Sequence, residues 1–250
     1  MQTTGNTILI TGGGSGIGRG LAEAFHAQGN QVIISGRRQA LLDEVVAANP
    51  GMAAFTVDMA AAADIVRFAA TVLAAYPALN AVLNNAGIML DEDILAAPSY
   101  LEAAEATIAT NLLGPIRLTA ALLPSLLQQP KATVLTVSSG LAFVPKATTP
   151  TYSATKAAIH SYSVSLRHQL RDTGVEVLEI APPYVQTSLQ GEQQANDPNA
   201  MPLAEYIAET FALLANPPES GEILVQRVHP LRFAEQSGNG AKVFGFINPV

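Results

Sequence analysis

The sequence predicts a doubly wound α/β fold: a seven-stranded parallel sheet with helices on both faces. Three observations predict it. Short apolar runs alternate with segments of helical period along most of the chain. The runs are near-continuous in Val, Ile and Leu, the pattern of strands buried on both faces. A glycine-rich turn joins the first run to the first helix, as in open parallel sheets wound from strand–helix units.

The elements follow in order. NTILI (6–10) is the first strand and runs into TGGGSGIG. GLAEAFHAQG (20–29) has helical period and stops at Gly29, a residue suited to the C′ position. QVIIS (31–35) is the second strand and RRQALLDEVVAAN (37–49) the next helix, ended by Pro50-Gly51. AAFTV (53–57) is a third strand, 61–76 an Ala-rich helix and NAVLN (80–84) a fourth strand. Residues 99–129 form a long helical stretch that contains Pro115 and Pro124. ATVLTV (132–137), a helix over 151–174, VEVLEI (175–180) and EILVQRV (222–228) complete the pattern. No linker or repeat divides the chain, so 1–250 reads as a single domain. A polar, Pro-rich insertion over about 183–215 reads as a loop plus short helix, the usual form of a binding loop or lid.

Composition narrows the function. The chain is 49% hydrophobic and 13% charged, which supports a sizeable core. A net charge of −7 argues against a nucleic-acid surface. The absence of cysteine excludes disulfides, thiolate metal sites and a cysteine nucleophile. His26, His160, His168 and His229 lack metal-ligand spacing, so no metal is expected. No apolar run reaches the length of a membrane span and no signal segment is evident, so no membrane partner and a cytoplasmic location are expected.

Two motifs carry chemistry. The turn over 11–18 has the context of a nucleotide-phosphate loop, in which Gly12 permits a tight turn, Gly16 lets backbone approach a pyrophosphate and Gly18 lets helix and strand pack closely. Gly14, Ser15 and Ile17 belong to the same loop. No acid follows the second strand to bond a ribose 2′-hydroxyl. Arg37 and Arg38 stand there instead, and guanidinium suits a 2′-phosphate, so NADP(H) is preferred with NAD(H) as the alternative. In TPTYSATKAAIH (149–160), Tyr152 and Lys156 share a helix face, where a cation would lower the phenol pKa.

With TGGGSGIG (11–18), FTVD (55–58), NNAG (84–87), TNLLG (110–114), TVSS (136–139), YSATK (152–156) and PPYVQT (182–187), residues 6–187 resemble the short-chain dehydrogenases/reductases of roughly 250 residues, which have a Rossmann fold. The resemblance implies that Asp58 and Met59 hold the adenine edge, and that Asn85, Ala86 and Gly87 line the adenosine ribose side. It implies that Pro182, Val185 and Thr187 lie at the nicotinamide carboxamide. It makes Tyr152 the general acid/base, Lys156 the cation that lowers its pKa and binds the nicotinamide ribose, and Ser139 the serine beside it. Ser138 is its neighbour, and spacing favours Ser139. Asn111 matches the asparagine that kinks the long helix and anchors a water. Pro183 stands where the family usually has Gly, and the usual C-terminal Gly-Gly strand is replaced by EILVQRVHPLRFAEQ. Homodimer and homotetramer therefore both stay open.

Leu141 and Phe143 follow the serine, and Tyr184 and Leu189 precede the insertion. These apolar side chains suit an apolar or aromatic ketone or its secondary alcohol. No Lys or Arg cluster is expected there. The leading reading is an NADP(H)-dependent carbonyl reductase/alcohol dehydrogenase. A catalytically silent nucleotide-sensing protein of the same fold is the alternative, against which Ser139, Tyr152 and Lys156 argue. An epimerase or dehydratase of this fold is a third reading, but it generally carries a larger substrate domain.

Overall fold

The computed structural model describes residues 1–249. In chain order it contains β1 (Thr7–Thr11), α1 (Gly16–Ala27), β2 (Gln31–Gly36), α2 (Gln39–Ala48), β3 (Ala53–Thr56), α3 (Ala62–Ala75) and β4 (Ala81–Asn84). There follow α4 (Leu101–Ile108), α5 (Gly114–Leu126), β5 (Ala132–Val137), α6 (Pro150–Leu170), β6 (Val175–Ile180), α7 (Glu192–Asn196), α8 (Leu203–Ala215), β7 (Glu222–Ile223), α9 (His229–Arg232) and α10 (Gly240–Ile247). The seven strands are all parallel, in the order β3-β2-β1-β4-β5-β6-β7. The order reverses between β1 and β4, and such a reversal opens a crevice at the carboxyl ends of the strands.

The strands bury both faces, which is why they lack polar alternation. Ile8 and Ile10 of β1 enter a core beneath α1, α2 and α8, whereas Leu9 enters a second core beneath α3, α5 and α6. Phe25 of α1 meets Phe211 of α8 edge-on at 5.0 Å between ring centroids.

The structure moves several boundaries, among them the start of α1 to Gly16 from the expected Gly20. The stretch 99–129 is two helices joined by a π-turn over Ala109–Leu113. Pro115 stands directly after this π-turn, whose altered hydrogen-bond ladder accommodates the missing N–H. The helix expected to run to Gly174 ends at Leu170. β7 is two residues long, and Gln226–Val228 turns as a 3₁₀ segment. Val225 and Val228 are buried, so the apolar run is real, but a short buried run does not distinguish strand from turn. The second half of the insertion is α8, a core helix with Tyr206 and Leu214 fully buried. Only the segment up to Pro202 is left to act as a loop.

Leu101–Leu126 also passes, by length and composition, for a membrane-crossing helix. Its Leu118, Leu122 and Leu126 lie in the core under the sheet, which accounts for its apolarity.

Candidate active site

One cavity of about 900 Å³ runs along the carboxyl ends of the strands, from Arg37 and Arg38 to Ser139, Tyr152 and Lys156. At its first end, the chain leaves β1 through Gly12, whose φ of +69° is left-handed and costs glycine nothing. Gly18 leaves no room for a side chain, because an added Cβ would collide with the Gly12 carbonyl and the Asn85 amide. Thr11 Oγ1 binds the turn to β4 by accepting from the Asn85 and Ala86 N–H groups, both at 3.0 Å. Asn85 Nδ2 returns a bond to Thr11 O at 2.9 Å.

This turn fits a dinucleotide phosphate. The N-cap residue Ser15 makes no side-chain cap, so among the described residues the first-turn amides of α1 face the cavity without a built-in acceptor. Gly14, Ser15, Gly16 and Ile17 line the same wall. Arg37 and Arg38 are exposed beside it, and Arg38 donates to Ser15 Oγ at 3.2 Å. A guanidinium and a hydroxyl thus converge next to the turn. Asp58 lines the cavity, with its Oδ1 accepting from the Ala60 N–H. Met59 lines the cavity too. Its side chain is buried against Gly114 of α5, so the surface it gives a ligand is mainly backbone.

At the other end, α6 carries Tyr152, Lys156 and His160 on one face. Tyr152 and Ser139 are both nearly buried and both line the cavity. The hydroxyl of Ser138 instead turns back to Ile180 O, so Ser139 is the serine beside the tyrosine. Ser139 Oγ accepts from the Leu141 N–H at 3.1 Å, which leaves its proton to point elsewhere. Lys156 Nζ donates to Val137 O at 2.8 Å and lies 5.5 Å from the Tyr152 ring centroid.

The expected lowering of the Tyr152 pKa does not occur in the protein alone. Burial pushes the phenol up to about 12, opposed by the Ser139 hydroxyl beside it. Burial also pulls Lys156 down to about 8, opposed by the charge of Glu179. Both shifts share one cause: desolvation disfavours the charged form of each group.

Asn111 sits at the π-turn, the expected bend. Its side chain accepts from the Ile88 N–H at 2.9 Å and donates to the Ile88 carbonyl at 2.8 Å and to Thr155 Oγ1 at 3.5 Å. A Cβ added at Gly87 would stand within 4 Å of both Asn111 Oδ1 and Lys156 Nζ, so glycine leaves the space between them open.

Pro182, Val185 and Thr187 line the cavity beyond α6. The Val185 side chain is in the core, and its carbonyl accepts from Gln194 Nε2 at 2.9 Å. Gln194 also donates to Thr187 Oγ1 and accepts from the Gln190 N–H, so one buried amide holds the whole loop. In the sequence it is one glutamine among several in QGEQQAND.

Of the expected substrate residues, Leu141, Tyr184 and Leu189 line the cavity and Phe143 does not. Phe143 packs edge-on to His160 at 4.9 Å, and the Arg232 guanidinium lies 4.6 Å over its ring. Two further cations line the cavity, each with a protein partner. Lys146 bonds Gln190 Oε1 at 3.3 Å, and Arg227 donates to Asn199 O. Leu231, Phe246 and Ile247 from the end of the chain line it too. No periodic signal marked those three, because the stretch after 229 reads weakly.

Behind α6, the fold assembles a group with metal-ligand chemistry that spacing did not reveal: His160, Glu179 and Glu222. His160 Nδ1 lies 2.8 Å from Glu179 Oε2, and this bond raises the imidazole pKa above its ordinary value. Arg232 forms a two-pronged pair with Glu222 at 2.8 and 3.0 Å, so a cation already serves this carboxylate.

Comparison with known proteins agrees with this geometry. The family model described as "short chain dehydrogenase" matches residues 6–198. The chain is 42% identical over 211 residues to the uncharacterized oxidoreductase DltE of Bacillus subtilis (strain 168), covering 84% of this chain and 83% of that protein. A short-chain dehydrogenase structure from Streptomyces avermitilis superposes with a TM-score of 0.83 at 27% identity, covering 96% of both chains. The closed form of a serine dehydrogenase complexed with NADP+ matches at a TM-score of 0.76 and 27% identity, covering 86% of this chain and 91% of that one.

Proposed function

We propose, for a chain that belongs to the short-chain dehydrogenase/reductase family and is thus a NAD(P)-dependent oxidoreductase, that it interconverts an apolar or aromatic ketone and its secondary alcohol with NADP(H) preferred. One observation carries the reading. The Tyr152 and Ser139 hydroxyls stand together on the wall of a cavity whose far end is an uncapped helix N-terminus flanked by two arginines.

The bound nicotinamide cofactor supplies hydride chemistry. Gly12–Gly18 would hold its pyrophosphate, Arg37 and Arg38 its 2′-phosphate, Asp58 and the Met59 backbone its adenine edge, and Val185 with Thr187 its carboxamide side. Tyr152, protonated at neutral pH, gives its proton to the substrate oxygen as negative charge develops there. Ser139 donates a second hydrogen bond to that oxygen. Lys156 is largely protonated near pH 7 and places a buried positive charge beside the phenol, which steadies the tyrosinate that the transfer leaves. Leu141 and Leu189 keep water from the carbonyl and favour an apolar substituent. The exposed Leu95, Leu101 and Ile108 around α4 are surface that a homodimer or homotetramer would cover.

The test is loss of absorbance at the reduced-nicotinamide band, with NADPH and NADH compared against aryl and aliphatic ketones. Turnover with NADPH preferred is the expected result. Tight cofactor binding without turnover on any ketone would overturn the ketone assignment, and equal use of NADH would overturn the reading of the arginines.

A further inference from the structure

We infer that the C-terminal arm, residues 226–248, sets the size of substrate the site accepts, with Phe246 and Ile247 as specificity-determining side chains. The inference rests on the ketone reading above for its substrate class and on separate geometry for the arm. After β7 the chain turns back toward the cavity and is fastened at two places.

The first fastening is at α9. Arg232 is paired with Glu222 by two bonds and lies over the Phe143 ring. Leu231 and Val228 press on Gly140, where an added Cβ would meet each at 3.1 Å. The arm thus rests on the residue next to Ser139.

The second fastening is Asn248. Its Oδ1 accepts from the Ala147 N–H at 2.6 Å, and its Nδ2 donates to Pro145 O at 3.0 Å. Residues 145–147 lead directly into the helix that carries Tyr152.

Between the two fastenings runs α10, GAKVFGFI, an apolar helix with no buried residue. Phe246 and Ile247 reach the same cavity as Ser139 and Tyr152. Phe246 is 84% exposed, a full aromatic face standing uncovered at the cavity mouth. An apolar face in that position is covered when the apolar end of a ketone enters. The fastenings fix where the wall stands, so its side chains, rather than its position, decide how far a substituent extends.

The chain contains no tryptophan, so F246W places a single indole at this wall. The probes are acetophenone and 2-acetonaphthone, each titrated into F246W with saturating NADP+, where no reduction can occur. A saturable change in indole emission is expected with at least one of them. In parallel, F246A is compared with wild type for reduction of the two ketones by NADPH. The ratio of kcat/KM for the larger over the smaller is expected to rise about tenfold, the usual worth of a changed apolar contact in a pocket. NADPH affinity should be unchanged in both variants.

Unchanged indole emission with both probes overturns the inference, as does a kcat/KM ratio within about twofold of wild type. If wild type reduces neither ketone but the indole still reports saturable binding, the reaction assignment falls and the arm's place in the site stands.

Discussion

Replacing Lys156 by Met is predicted to stabilise the cofactor-free protein while removing activity. Lys156 is a cation buried for function, with its pKa drawn from an ordinary 10.5 to about 8. At about 1.4 kcal/mol per unit, keeping it charged near neutral pH costs about 3.5 kcal/mol. Its hydrogen bond to Val137 O, at 2.8 Å, returns about 1.5–3 kcal/mol as a charge-assisted bond. Met fills a similar volume without a charge, so K156M should be more stable by up to about 2 kcal/mol near pH 7, or about 4–8 °C in Tm for a chain of this size. The pH dependence is the sharper part. The native lysine titrates at about 8 and the unfolded one at 10.5, so between these values the unfolded chain binds more protons. Wild-type stability therefore gains from this group as pH rises through that window. Between pH 7 and about 9.5 the cost shrinks by about 2 kcal/mol, and the advantage of K156M should disappear. Urea melts of both proteins at the two pH values measure this, and other titrating groups cancel in the comparison. A stability difference that does not change with pH would refute the reasoning.

Three other outcomes are expected. Tyr152→Phe should lower kcat by about 10²-fold or more while NADPH still binds, checked by turnover and by quenching of cofactor fluorescence; activity above about a tenth of wild type would remove Tyr152 from its role. Arg38→Ala should weaken NADPH by about tenfold and NADH by much less, measured by titration calorimetry, and equal losses would place the arginine outside the phosphate site. Gly18→Ala should cost about 1–3 kcal/mol of stability and most of the cofactor affinity, because the methyl meets the Gly12 carbonyl and the Asn85 amide; an unaltered melt would show that the turn yields.

The sheet was readable because its signals are local. Ile8, Leu9 and Ile10 must all be apolar when a strand is covered on both sides, and the glycine turn needs its residues in one short run. Tyr152 and Lys156 were likewise one helical turn apart. The fold brings other parts together that the sequence keeps distant. Glu179 and Glu222 are strand residues whose partners, His160 and Arg232, lie on helices 19 and 10 residues away. Phe143 reads as a pocket residue by position but is turned aside by His160 and Arg232. The pKa of Tyr152 illustrates a third limit: spacing reports the cation beside it and is silent on burial, which dominates.

The bond from Thr11 to Asn85 and Ala86 has a consequence for how the molecule comes into being. It closes over separations of 74 and 75 residues, and β1 cannot reach β4 until β2 and β3 with their helices have been made. A chain synthesised from its N-terminus therefore carries the glycine turn for most of its first hundred residues with nothing above it. Closing such long loops is slow, because their entropy is lost before the contacts reward it. The wall at the other end, from the arm, is made only after β7. The cavity is thus among the final things to form, and a partly made chain has no ligand to hold it together. Added cofactor then stabilises the finished protein by mass action.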